Sequence, residues 1–166
     1  MKTYIGTKIV KAAPALRLDD GKGNVRVETL GSNPMPQPGD AVDIGYKVAY
    51  SDGYESWSPQ DVFEEAYRPT NGMNFGLAIE ALKMGIAVAR KGWNGKGIYL
   101  ELQEPDEHSK MTLPYIYIVT DSLITDNPHA PKGRCPWLAS QTDMLADDWY
   151  IAADDWYIAE DDYGTV

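Results

Sequence analysis

Cysteine is nearly missing from these 166 residues: Cys135 stands alone, which excludes an internal disulfide, and two scattered histidines leave too few soft ligands for a closed zinc site. No apolar run of about 18 residues occurs, nor a charged start followed by an apolar stretch. Membrane spans and a signal peptide are therefore not expected, and the chain is expected to stay in the cytoplasm where it is made. A basic excess is the third absence. Lys and Arg number 15 against 25 Asp and Glu, a net charge of -10. Residues 1–68 carry 8 basic and 10 acidic side chains, residues 69–142 carry 7 and 7, and residues 143–166 carry none and 8. No segment offers the basic face that displaces counterions from a nucleic-acid polymer, so that partner is set aside. A small anionic ligand stays open, because local cations and backbone N–H donors can neutralise a few charges in a pocket. What is abundant is aromatic mass: 5 Trp, 11 Tyr and 2 Phe, with 43% of positions apolar, enough to fill a core or line a pocket.

The patterning suggests an α+β protein of two small modules, each a short helix with an antiparallel sheet. Residues 3–11 read as a strand on Tyr4, Ile5, Ile9 and Val10. Residues 19–45 are rich in Gly, Pro, Asp and Asn and read as a long loop with at most one short strand at 25–27. A hairpin follows over 46–50 and 54–57, turning at Ser51-Asp52-Gly53. Ser58 is placed to cap a helix with Pro59 at its first position, running to Tyr67. Residues 69–72 form a linker, and a second module occupies 73–166. There Asn74 is placed to cap a helix that ends at Gly85. Strands are expected at 86–89, 97–102 and 114–119, the first two closed by a tight Asn94-Gly95 turn, with a long loop over 120–136. Ser140 and Asp143 have capping-box spacing for a short helix. The end is an identical tandem repeat: residues 146–152 and 153–159 both read Ala-Asp-Asp-Trp-Tyr-Ile-Ala. Trp-Tyr-Ile is a strand-type run, so one copy is expected to pair into the sheet, and the sequence leaves open which.

Enzyme chemistry is poorly supported. His108 and His129 lie in polar or Pro-rich loops without a nucleophile motif, and Cys135 sits alone between Arg134 and Pro136. The pairs Asp147-Asp148, Asp154-Asp155 and Asp161-Asp162 do not converge on a metal in extended chain, since strand neighbours point to opposite faces. Two clusters read better as binding surfaces. Arg90-Lys91-Gly92-Trp93-Asn94-Gly95-Lys96-Gly97 joins an indole, cations, an amide and glycines on one turn, a combination that suits a base and a phosphate. Trp93 in the core with solvated cations is the competing reading. Pro136-Trp137-Leu138-Ala139-Ser140-Gln141-Thr142-Asp143 sets hydroxyls, an amide and a carboxylate beside the free N–H groups of a helix start. Asp143 can be helix cap, ligand contact or both.

Met73-Asn74-Phe75-Gly76, residues 90–97, Pro114-Tyr115-Ile116 and residues 136–144 occur in that order, and together they resemble the phage Thoeris anti-defence protein 2 family over about residues 73–151. The loop at 120–135 and the repeated end depart from that pattern. Residues 1–68, with Met1 to Val10, Gly45-Tyr46, Asp52-Gly53-Tyr54 and Trp57-Ser58-Pro59, resemble a small tailed-phage family without an established activity. The resemblance implies a sponge: a protein without catalytic residues, cofactor or metal that sequesters cyclic ADP-ribose isomers made by TIR-domain proteins, in the cytoplasm of the infected bacterial host, and so silences Thoeris immunity. It also implies a homo-oligomer, a tetramer, with pockets between subunits, and in some members affinity for other cyclic nucleotides. Carried over by position, Trp93 and Trp137 contact bases, and Asn94, Ser140, Gln141, Thr142 and Asp143 bond ribose or base. Arg90 or Lys96 meets the pyrophosphate, and Phe75 walls the pocket or packs. The rival expectation is an inhibitor that docks on a host protein through the acidic, aromatic segment 143–166.

Overall fold

The computed structural model describes residues 1–3 and 6–152. Its contacts divide the chain into two compact units, one of Met1–Arg68 and one beginning at Pro69. Both combine an antiparallel sheet with short helices, so the fold is α+β.

In the first unit, β1 (Lys11–Asp19), β2 (Val25–Thr29), β3 (Ala41–Ala49) and β4 (Glu55–Pro59) form a sheet in the order β2-β1-β3-β4. This overturns two expectations. The first strand starts at Lys11 instead of spanning 3–11, of which Tyr4 and Ile5 lie outside the described residues, and β3 takes residues 41–45 out of the expected loop. Lys-Ala-Ala-Pro-Ala has weak strand character of its own. Its extended form comes from β3, which pairs with it from Lys11↔Ala49 to Asp19↔Ala41. Pro14 is tolerated because β2 reaches only as far as Ala15↔Thr29, leaving no ladder partner on that edge for a missing N–H. Gly45 in β3 has a packing reason: a Cβ there would lie 2.9 Å from the Trp57 ring and 2.1 Å from the Ser58 carbonyl oxygen.

The expected hairpin is present between β3 and β4. Its helix, α1 (Gln60–Ala66), starts later than expected: Pro59 is the N-cap, Ser58 belongs to β4 and makes no cap hydrogen bond. Phe63 of α1 stacks on Tyr46 at 4.2 Å and on Tyr67 at 4.7 Å, fastening the helix to the sheet.

The second unit begins with α2 (Phe75–Lys83), where Asn74 Oδ1 accepts from the Leu77 N–H at 3.0 Å, and Gly85, at φ +79°, follows its end. Five strands follow: β5 (Val88–Arg90), β6 (Tyr99–Gln103), β7 (Tyr115–Val119), β8 (Arg134–Pro136) and β9 (Trp149–Ile151), in the order β8-β7-β6-β5-β9. A four-residue helix, α3 (Gln141–Met144), precedes β9. Buried Ala78, Ala81 and Leu82 of α2 pack with Val88, Leu100 and Trp149 to make the core.

Three expectations need correcting here. β5 begins at Val88 instead of Ile86, and β8 lies inside the expected loop, held by Ile118↔Cys135 and Val119↔Arg134. β5 and β6 pair as the expected hairpin at Val88↔Leu100, but the 91–98 connection is not closed by a tight Asn94-Gly95 turn, because Lys96 leaves the ladder to bridge Ile124. Gly97 permits that detour: its φ is +77°, and a Cβ would sit 2.1 Å from the Ser122 carbonyl oxygen. The last strand is formed by the first copy of the repeat; the second lies outside the described residues.

Candidate functional site

Four aromatic side chains meet at the start of α2, one from α2, one from β9 and two from connecting turns. Trp149 opens β9 and is wholly buried. Phe75, the first residue of α2, lies 5.4 Å from it between ring centroids, Trp93 5.5 Å and Trp137 6.1 Å. The Trp pairs are edge-to-face, the arrangement favoured by indole quadrupoles. Trp93 and Trp137 lie 6.1 Å apart and are both half-buried, so the two turns picked out in the sequence converge. Trp137 is fixed by its backbone, whose N–H donates to the Ile116 carbonyl at 3.0 Å.

Polar contacts tie the turns together. Ser140 caps α3 and forms a capping box with Asp143: the Asp143 N–H donates to Ser140 Oγ at 3.1 Å, and the Ser140 N–H donates to Asp143 Oδ2 at 3.0 Å. The other oxygen, Asp143 Oδ1, accepts from Arg90 Nη1 at 2.7 Å and Trp93 Nε1 at 3.0 Å. One carboxylate thus serves cap, ion pair and indole. Arg90 also donates through Nε to Asp148 Oδ1 at 2.7 Å, and Asp148 Oδ2 accepts from the Gly92 N–H at 2.7 Å. Trp149 Nε1 donates to the Asp143 carbonyl at 3.0 Å.

The charges follow this network. Burial alone would raise the Asp143 carboxyl pKa, but hydrogen bonds from Ser140, Trp93 and Arg90 outweigh it and hold the group at about 2, below its ordinary 3.8. Arg90 and the Gly92 N–H lower Asp148 against its own desolvation, and the hydrogen bond to Asp148 leads those that raise Arg90 despite burial. A depressed carboxylate stabilises the fold fully above its unfolded pKa and ceases to do so as pH falls through its folded value. The second unit should therefore weaken between about pH 4 and about pH 2, with Asp143 contributing about 2 kcal/mol of the loss. Urea midpoints measured across that window check this, and Asp143→Asn should flatten the slope.

Of the residues expected to bind ligand, the fold gathers Phe75, Arg90, Trp93, Trp137, Ser140 and Asp143. Asn94, Lys96, Gln141 and Thr142 are exposed at the margins of the two turns. Lys96 Nζ donates to the Lys91 carbonyl at 3.1 Å, and the Thr142 hydroxyl is 2.8 Å from that of Ser140. Two residues central to the arrangement, Asp148 and Trp149, were not singled out from the sequence as site residues. Asp148 meets Arg90 across 58 positions, and Trp149 stands in a segment that the sequence spells twice. Two shallow hollows lie elsewhere, one beside Gly85, Ile86 and Leu102 and one beside Tyr115, Tyr117 and Arg134. Leu138, next to Trp137 in the chain, is 91% exposed, and Leu145, just after α3, is 79% exposed.

The family model described as a Thoeris anti-defense 2-like domain matches residues 73–152. The chain is also 37% identical over 89 residues to Thoeris anti-defense 2 of Bacillus phage SP01, an alignment that spans 48% of this chain and 93% of that protein.

Proposed function

Because the chain belongs to the Thoeris anti-defense 2 family, we propose that its second unit binds cyclic ADP-ribose-type signalling nucleotides and sequesters them without cleavage. Membership implies anti-defence against Thoeris in the infected host cell; the ligand and the sponge mechanism are the further step. What supports that step is the convergence of the two aromatic turns, Trp93 and Trp137, each half-exposed beside exposed amide, hydroxyl and ammonium groups. Indole faces take bases, each contact contributing roughly 1–3 kcal/mol. Asn94, Gln141, Thr142 and the Ser140 hydroxyl supply hydrogen bonds to ribose or base, and Lys96 meets the pyrophosphate. Arg90 and Asp143, engaged with each other, hold the two turns in register. Arg90 reaches a ligand only through guanidinium N–H groups beyond those bonded to Asp143 and Asp148.

Two half-exposed indoles bind weakly by themselves, whereas sequestration needs tight retention: a Kd near 1 nM corresponds to about 12 kcal/mol. The proposal therefore includes a homo-oligomer, a tetramer, in which a second subunit closes the site over Leu138 and Leu145. A nucleophile–base pair is not part of this reading, and the carboxylate best placed to act, Asp143, already accepts from three side chains.

The test mixes purified protein with the product of a Thoeris TIR enzyme, removes free ligand by filtration and heats the retained fraction. Intact cyclic nucleotide is the expected recovery, and ADP-ribose in its place would overturn the reading. Trp93→Ala should weaken retention at least about fivefold. Loss of Thoeris inhibition on deleting residues 153–166, with retention unchanged, would instead favour the rival inhibitor that docks on a host protein.

A further inference from the structure

Asn-Gly occurs twice in the chain, at 71–72 and at 94–95, and the fold treats the two pairs differently. The Gly72 N–H is held: it donates to the Pro69 carbonyl at 3.1 Å. Bonds on either side clamp the same stretch. The Ile151 N–H donates to the Thr70 carbonyl at 3.1 Å, the Met73 N–H donates to the Trp149 carbonyl at 2.8 Å, and the Trp149 N–H donates to the Met73 carbonyl at 3.1 Å. Asn94-Gly95 instead lies between two anchors. Before it the Trp93 N–H donates to the Arg90 carbonyl at 3.4 Å, and after it the Ile124 N–H donates to the Lys96 carbonyl at 2.9 Å. Among the described residues, neither the exposed Asn94 side chain nor the Gly95 N–H makes a hydrogen bond.

We propose that Asn94 is a site of spontaneous deamidation, a covalent modification that the fold confines to one of the two Asn-Gly pairs. The Gly95 backbone nitrogen gives up its proton and attacks Cγ of Asn94. The N–Cγ bond forms, the Cγ–Nδ2 bond breaks, and the amide group leaves as ammonia, having taken up a proton in exchange for the one lost. Water then opens the cyclic imide at one carbonyl or the other and gives aspartate or isoaspartate. Nothing is oxidised or reduced, and water is the sole co-reactant. Glycine favours the step, because no Cβ stands beside the attacking nitrogen and the backbone turns freely. A peptide N–H that already donates to a carbonyl is held back from it, so at Gly72 the bond to Pro69 and its neighbours have to open first. The product carries one added negative charge, close in the chain to the Lys96 ammonium, which donates to the Lys91 carbonyl. Isoaspartate also lengthens the main chain by a methylene and so shifts the path from Trp93 to Lys96. On the ligand reading above, on which this consequence rests, the new carboxylate opposes the pyrophosphate that the turn is to meet.

The test is made on the full chain without ligand. The protein is incubated at neutral and at mildly alkaline pH, and peptide mapping by mass spectrometry follows amide-to-acid conversion at both pairs. The native chain is expected to convert Asn94 at least about tenfold faster than Asn71, with isoaspartate and aspartate both formed at position 94. Conversion should quicken with pH, because the attacking nitrogen has to lose its proton. In urea, with the fold removed, the two pairs should convert at similar rates. Gly95→Ala, whose added Cβ meets the Ile98 and Leu123 side-chain tips, should slow conversion of Asn94 several-fold and leave Asn71 unchanged. Equal rates at the two pairs in the native chain would overturn the proposal. So would aspartate without isoaspartate at position 94, or an Asn94 that converts far more slowly in the folded chain than in urea. No nucleotide enters these measurements, so failure of the sequestration reading would leave their result standing.

Discussion

Replacing Asp143 by alanine is expected to destabilise the second unit by about 3 kcal/mol, the lower end of the cost of breaking a buried ion pair, because Arg90 keeps its second carboxylate, Asp148. The Arg90 and Asp143 side chains are only 14% and 11% exposed, so water does little for the Arg90 Nη1 group that loses its acceptor. The same change removes the reciprocal half of the α3 capping box and the acceptor of the Trp93 indole N–H. Asp143→Asn keeps one acceptor oxygen, enough for one of these two places but not both, and gives up the charge, so its loss should be smaller than that of alanine but still measurable. Urea denaturation followed by tryptophan fluorescence separates the two, and a loss under about 1 kcal/mol for alanine would show that this carboxylate does not organise the turns.

The second large effect is expected at Gly97. Alanine there meets two obstacles at once, a left-handed backbone at φ +77° and a Cβ 2.1 Å from the Ser122 carbonyl oxygen, which belongs to backbone and cannot swing aside. The expected cost is about 2–4 kcal/mol. Gly95, two residues earlier, is the control. Its added Cβ would come within 3.1 Å of the Ile98 and Leu123 side-chain tips, which can adjust, and its φ is not positive. Gly95→Ala should cost under about 1 kcal/mol. Similar costs at the two positions would remove the argument that the 91–98 loop is pinned to the Ser122 backbone. Gly97→Ala should also displace Lys96, and so tests how far the proposed pyrophosphate contact depends on the loop's path.

Much of the second unit was readable before any coordinates because its signals are local. Asn74 and the Ser140–Asp143 box announce helix starts through spacing alone, and two tryptophans inside polar, Gly-rich or cap-rich turns stand out as candidates for binding. Where the signal is non-local the reading fails. The Ala-rich start of β1 becomes a strand because β3, about 30 residues on, pairs with it, which no window of the sequence contains. β8 is three residues long and owes its form to β7. Arg90 reads as a ligand cation until Asp148 and Asp143, more than 50 residues away, are brought to it. The repeat conceals Trp149 differently: two identical strings give two equal candidates, and only pairing with Met73 and β5 separates them.

The mutual hydrogen bonds between Met73 and Trp149 join the entrance of the second unit to its exit. A fold closed in this way hands its neighbours a single attachment point, so polypeptide can be added at either side without prying strands apart. A companion of 68 residues upstream therefore calls for no redesign of the sheet it precedes.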